Sequence, residues 1–126
     1  MDAEAAKTYL LSKPEAIEDY PFGPEVSVFK VRDKMFASLA YSNKQARIIL
    51  KCDPEQALIL RYVFAAVIPG YHMNKQHWNT VILDGSIAAD EIQAMIDHSY
   101  GLVVKGMEKS VRTSLELQHG SDEIYK

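Results

Sequence analysis

The chain has one cysteine, six glycines that never cluster, and no apolar run approaching the length of a bilayer crossing. Each shortage closes off a class of protein. Cys52 alone cannot form an internal disulfide, which fits a reducing compartment and predicts a cytoplasmic protein. A spanning helix needs about 20 consecutive apolar residues, and no stretch of the sequence comes near that. The N-terminal MDAEAAKTYLLSKPEA places acids early and lacks a basic segment leading into an unbroken apolar one, so it does not read as a secretory signal. The glycines form neither GxGxxG nor GxxxxGK[ST], so no phosphate-cradling loop is expected. HExxH and GxSxG are missing as well, and with them the usual signatures of a zinc hydrolase and a serine nucleophile.

What is present is ordinary globular material. With 48% hydrophobic and 25% charged residues over 126 positions, the chain can bury a core without metal or disulfide staples. The net charge of −3 is the wrong sign for binding nucleic acid through bulk charge. That charge is unevenly spread. Residues 1–25 carry six acids against Lys7 and Lys13, whereas residues 30–51 carry Lys30, Arg32, Lys34, Lys44, Arg47 and Lys51 against Asp33 alone. If these side chains point one way, they make a positive face on an acidic protein. If they scatter, they are solvated strand edges, where lysine blocks aggregation.

The apolar pattern predicts an α+β domain. Ala6, Tyr9 and Leu10 recur at helical spacing from about Ala3 to Ser12, and Pro14 stops the run. A proline-marked connection, Glu18 to Pro24, follows, with Tyr20 and Phe22 expected to tuck against the core. Three strands are predicted at Val26–Arg32, Met35–Tyr41 and Ala46–Cys52, joined by turns at Asp33-Lys34 and Ser42-Asn43-Lys44. In the third strand Ala46, Ile48, Leu50 and Cys52 alternate with Arg47, Ile49 and Lys51, so Arg47 and Lys51 share a face. Asp53-Pro54-Glu55-Gln56 is a helix start, with a capping aspartate, proline at the first helical position and a glutamine that can close the capping box. That helix offers Ala57, Leu60, Val63 and Phe64 to the core. Strands at Val67-Ile68 and Trp78–Leu83 come next, then a helix from about Ala88 to Val104 with Ile92, Met95, Ile96, Tyr100 and Val103 on one face. The expected fold is a two-layer α/β sandwich: an antiparallel sheet of about five strands, helices on one face, order α-β-β-β-α-β-β-α. A single domain over 1–107 with a polar, frayed tail over 108–126 completes the expectation. The sheet face without helices is a natural docking surface.

The richest span is VIPGYHMNKQHWNTVILDG, Val67 to Gly85. It holds the only tryptophan, Trp78, with His72, His77, Lys75, Asn74 and Asn79 between two apolar runs. His72-x4-His77 has a spacing zinc sites use, but further ligands are needed and the one cysteine is distant, so no metal is expected. Cys52 ends an apolar alternation and reads as an inert core thiol. Asp90-Glu91 open a helix, where they favour its dipole without any catalytic role. No catalytic residue and no cofactor is therefore expected. The loop reads either as a brace, with Trp78 packed at the rim, or as an aromatic platform beside donors: Lys75 for a phosphate or carboxylate, Asn74 and Gln76 for hydrogen bonds, and His77 as a titratable partner.

The same span, with YPFG and FKVRDKMFA upstream, the KCDPEQA helix start and IDHSYGLVVKGM downstream, resembles the MmcQ/YjbR family of small bacterial proteins over about residues 5–107. The resemblance implies a two-layer fold like that of CyaY, the bacterial frataxin homologue, and a DNA-binding role through a double-wing arrangement. It supplies no catalytic residues. Iron binding of the frataxin kind does not carry over, because Asp2, Glu4, Glu15, Glu18 and Asp19 are loosely spaced and broken by Lys7 and Lys13.

Two functions compete. The first is a non-enzymatic DNA-binding protein whose phosphate contacts are Lys44, Arg47, Lys51 and Lys75, with Asn74, His77 and Trp78 at the centre. The second is a binding module for a protein partner or a small anionic ligand at the Tyr71–Trp78 loop. Neither involves a membrane, and the chain is expected to be a monomer or weak dimer.

Overall fold

The computed structural model describes residues 1–71 and 73–126. Along those residues the chain forms α1 (Ala3–Leu11), β1 (Ile17–Asp19), β2 (Ser27–Val31), β3 (Lys34–Ser42), β4 (Gln45–Lys51), α2 (Pro54–Val63), β5 (Val67–Pro69), β6 (Trp78–Ile82), α3 (Ala89–Lys105), α4 (Lys109–His119) and α5 (Ser121–Ile124). The strands make one antiparallel sheet in the order β1-β2-β3-β4-β6-β5, so β6 slots between β4 and the edge strand β5.

Local chemistry sets the turns and starts. The β2–β3 and β3–β4 connections put Arg32, Asp33, Asn43 and Lys44 at positive φ, the left-handed pairs that tight hairpins need, here without glycine. Asp53 caps α2 by accepting the Gln56 N–H at 3.2 Å, and Pro54 takes the first helical position.

The core lies between the sheet and the helices. Ala46, Ile48 and Leu50 of β4 point inward, facing Leu39 and Ala37 of β3 and Val81 of β6 through the strand register. α3 packs across β3 and β4 with Ile92, Met95, Ile96, Tyr100 and Val103 buried, and Tyr100 meets Phe36 edge to face at 5.2 Å. The β2–β3 register skips Phe36, and its carbonyl accepts the Ser99 hydroxyl at 2.6 Å. The same Ser99 oxygen accepts the Lys51 N–H at 2.9 Å, which ties α3 to two strands. Lys13, one of the two cations in the acidic N-terminal stretch, is buried. Its ammonium lies 2.7 Å from Asp97, which also accepts the Tyr9 hydroxyl.

The α+β sandwich with helices on one face is as expected, with four corrections. The sheet has a sixth strand, β1, in the stretch read as a connection; three residues, two of them acidic, carry no periodic signal. Tyr20 and Phe22 do not tuck into the core: Phe22 is 75% exposed, because the core face of the sheet is already filled by helices. Val63 is exposed, and α2 touches the core through Ala57 and Leu60, joined by Phe64 just past its end. Residues 108–126 are not a frayed tail but α4 and α5, which bury Leu115 and Ile124 completely. Polar composition hid this, since one apolar residue per helix is enough to anchor so short an element. His119 and Arg32 both bind Glu15, which pins the end of α4 to the body of the domain.

Candidate functional site

Strand pairing decides which charged groups share a surface. Arg47, Ile49 and Lys51 of β4 face away from the helices, and their register partners are Ala40 and Ser38 on β3 and Ile82, Thr80 and Trp78 on β6. Lys51 and Trp78 are direct partners. The loop between β1 and β2 rises on one side of this face through Phe22 and Val26; the loop between β5 and β6 rises on the other through Tyr71 and Met73. Between them lies a cleft of about 590 Å³, floored by β3, β4, β5 and β6 and mainly apolar, with Ser38, Thr80 and Arg47 as its polar floor.

Arg47 is the feature of this cleft that packing alone does not explain. Its Nε is shut off from solvent and makes no hydrogen bond among the described residues. An unmade bond on a buried polar group costs on the order of 1–3 kcal/mol. The other cations nearby differ. Lys30, on the same face, is bound to Asp19 at 3.0 Å; that contact holds the Asp19 carboxyl below the usual carboxylate range. Arg32 points to the helix side and is bound to Glu15 at 2.7 Å. The basic stretch 30–51 is thus divided by pairing, and Arg47 and Lys51 are left on the uncovered face without an acid partner among the described residues.

The β5–β6 loop is built as a brace. Arg61 of α2 donates from Nε to Asn79 Oδ1 at 2.7 Å and from Nη2 to the Lys75 and Trp78 carbonyls. Asn74 Oδ1 accepts the Gln76 N–H at 2.9 Å, and the His77 carbonyl accepts the Cys52 N–H at 2.7 Å. Gly70 donates to the Trp78 carbonyl at 2.9 Å. Lys75 is exposed, with its ammonium 5.3 Å over the Tyr71 ring at the cleft rim.

The sequence candidates therefore divide. Arg47 sits in the cleft; Lys51 and Trp78 lie side by side on the same face; Lys75 reaches its rim through Tyr71. Lys44 is exposed on the β3–β4 turn, at the end of the hairpin that carries Arg47. The side-chain oxygen of Asn74 and the backbone carbonyl of His77 hold the loop together. His72 lies outside the described residues, so the His72–His77 pair has no geometry to report. Sequence reasoning missed Phe22, Ser38 and Thr80, and included Met73 only as part of the Tyr71–Trp78 loop. Period-two alternation carried the signal for Ser38 and Thr80, which fall on the Arg47 side once the strands are paired.

A second cleft of about 550 Å³ lies between α2 and α3, lined in part by Cys52, Asp53, Glu91 and His98. Burial pushes the Cys52 thiol up to about 11, so at neutral pH it is protonated and not a nucleophile. Burial also lowers the His98 pKa below its ordinary value, and its Nε2 accepts the Asp53 N–H at 3.4 Å. Among the described residues no three His, Cys, Asp or Glu side chains gather in a way that could hold a metal ion, and no helix is long and apolar enough to cross a membrane.

A sequence model of the YjbR family matches residues 11–102, a span that takes in both loops and every strand of the cleft. The chain belongs to the YjbR family. It is 37% identical to the uncharacterized protein YbdF of Escherichia coli O157:H7, over 84% of this chain and 87% of that one. It is 34% identical to the uncharacterized protein YjbR of Escherichia coli K12, over 85% of this chain and 91% of the other. A crystal structure of a Deinococcus radiodurans protein with a DUF419 domain superposes with a TM-score of 0.83 at 35% identity, covering 95% of this chain and 94% of that one. A Pseudomonas syringae protein matches with a TM-score of 0.73 at 32% identity, over 82% of this chain and 99% of that one. These proteins are similar to the chain over most of its length, and their names state no activity.

Proposed function

We propose that this YjbR-family chain is a non-enzymatic nucleic-acid-binding protein that meets phosphates with the uncovered face of its sheet. One observation carries the reading. The register that points Arg47, Lys51 and Trp78 away from the helices leaves Asp19 as the only strand acid on that side among the described residues, and Lys30 is bound to it. An acidic protein thereby presents a local positive face, and Lys44 and Lys75 extend it at two ends. Phosphate contact through a few lysines and arginines gives modest, salt-sensitive affinity, with a slope of log K against log salt of about −0.7 to −0.9 per phosphate engaged.

The test is fluorescence anisotropy with short labelled DNA at a series of salt concentrations. Binding that weakens with salt, and that is abolished by Lys44→Glu with Arg47→Glu, supports the reading. Absence of binding at low salt, or binding indifferent to the double variant, refutes it. A small organic anion in the cleft is the second reading, favoured by the unbonded Arg47 Nε. It predicts saturable binding of a low-molecular-weight acid and none of DNA.

A further inference from the structure

We propose that the cleft around Arg47 is a subsite for one unstacked nucleotide, so that the form of nucleic acid held is single-stranded. This rests on the nucleic-acid reading above and narrows it.

Shape comes first. The cleft is concave, enclosed by two loops and about 590 Å³ in volume, the scale of a site that swallows a small group. A duplex presents a convex ridge of phosphates and hides its bases, so it could bridge the rim but not fill the interior. A single strand can splay one base out of line.

Chemistry comes second. The interior walls are Val26, Met35, Ile49, Ile68 and Met73, which favour a flat apolar body. Ser38 and Thr80, both buried, line the same floor; the Thr80 hydroxyl donates to the Pro69 carbonyl at 3.3 Å, so toward the polar edge of a base it offers its oxygen as an acceptor. Phe22 and Tyr71 stand at the rim, 75% and 59% exposed. Exposed rings beside a cation are the stacking platform of single-strand binders. Arg47 supplies the charge. Its guanidinium lines the cleft without an acid partner among the described residues, and a phosphate oxygen is a strong acceptor for a guanidinium; the unbonded Nε is shielded and meets that oxygen only after the side chain turns. A nucleoside without its phosphate would leave that donor unmet.

The experiment pairs two measurements on the whole chain. Anisotropy compares labelled single-stranded dT12 with a duplex of equal length. Amide chemical shifts are followed during titration with thymidine monophosphate, thymidine, inorganic phosphate and hexanoate. We expect dT12 to bind at least about tenfold more tightly than duplex. Thymidine monophosphate should move the amides of Ser38, Arg47, Ile49 and Thr80, and thymidine or phosphate alone should move them far less. Arg47→Met should lose about tenfold or more of the dT12 affinity without lowering the melting temperature, since methionine removes a buried, unbonded donor. Ala40→Phe, which fills the floor beside Arg47 from the paired strand, should lose a similar amount while Arg47 stays in place.

Duplex binding as tight as dT12 and unchanged by both variants overturns the subsite and leaves the phosphate-binding face standing. No binding of either DNA overturns both readings. Shifts with hexanoate equal to those with the nucleotide overturn the nucleotide assignment.

Discussion

Gly70 and Trp78 are packed backbone against backbone: a Cβ on Gly70 would lie 2.9 Å from the Trp78 Cβ and 3.0 Å from its carbonyl oxygen. The contact fixes where the loop leaves β5 and where β6 begins, and hence the position of one wall of the cleft. Gly70→Ala should therefore destabilise the fold by about 1–3 kcal/mol, since strand backbone rather than a flexible side-chain end has to give. Chemical denaturation measures the loss, and Trp78 emission should shift at the same time. Unchanged stability and emission would mean that the loop moves freely past the strand.

Arg61→Ala should loosen the same wall from the other side. The substitution removes the donors to Asn79 Oδ1 and to the Lys75 and Trp78 carbonyls. Bonds to a charged group are worth about 1.5–3 kcal/mol each when broken one-sidedly. Asn79, only 2% exposed, is left with its weaker bond to the Ala57 carbonyl at 3.4 Å. Hydrogen exchange should speed up over residues 73–78 before it changes in β3. Uniform exchange across the sheet would contradict a local brace.

Glu15 should govern part of the acid sensitivity. The Arg32 hydrogen bond first, and the His119 hydrogen bond second, hold its carboxyl at about 2, against an ordinary value of 4.5. A depressed carboxylate pKa means that the unfolded chain binds the proton more readily. The stabilisation is therefore present above pH 4.5 and drains away as pH falls toward 2. Urea midpoints at pH 5 and pH 3 should differ less in Glu15→Gln than in the parent chain. An equal difference would show that Glu15 plays no part in the acid transition.

Leu115→Ala tests whether the C-terminal helices belong to the fold. Leu115 is fully buried on an otherwise polar helix, and truncation of such a leucine costs about 2–5 kcal/mol. Calorimetry or denaturant unfolding reads the loss. A change within about 0.5 kcal/mol, the scale of an exposed substitution, would return residues 108–126 to the status of a tail.

Much of this could be read from the residues alone where the signal repeats. The alternation in β4 gave both its inward face and the side shared by Arg47 and Lys51, because a strand has period two whatever it pairs with. The same holds for α3, whose apolar stripe is unambiguous over its full length. The signal failed where elements are short. β1 has three residues, α5 has four, and α4 buries one leucine among polar neighbours. In each, the burial that stabilises the element comes from a distant part of the chain.

The binding cleft divides the same way. The sequence by itself determined that cations concentrate between residues 30 and 51, that Arg47 and Lys51 share a face, and that the Val67–Gly85 span is special. Tertiary structure alone decided which cations are paired, because Asp19 and Glu15 reach Lys30 and Arg32 across strands and turns that charge counting does not see. It also decided that Phe22, predicted to be a core anchor, stands at the rim of a cleft, and that Trp78 lies beside Lys51. Register and sheet order bring these groups together, and both depend on pairings between segments far apart in the chain. A side chain's face is a local property of its strand; its neighbours are a property of the whole sheet.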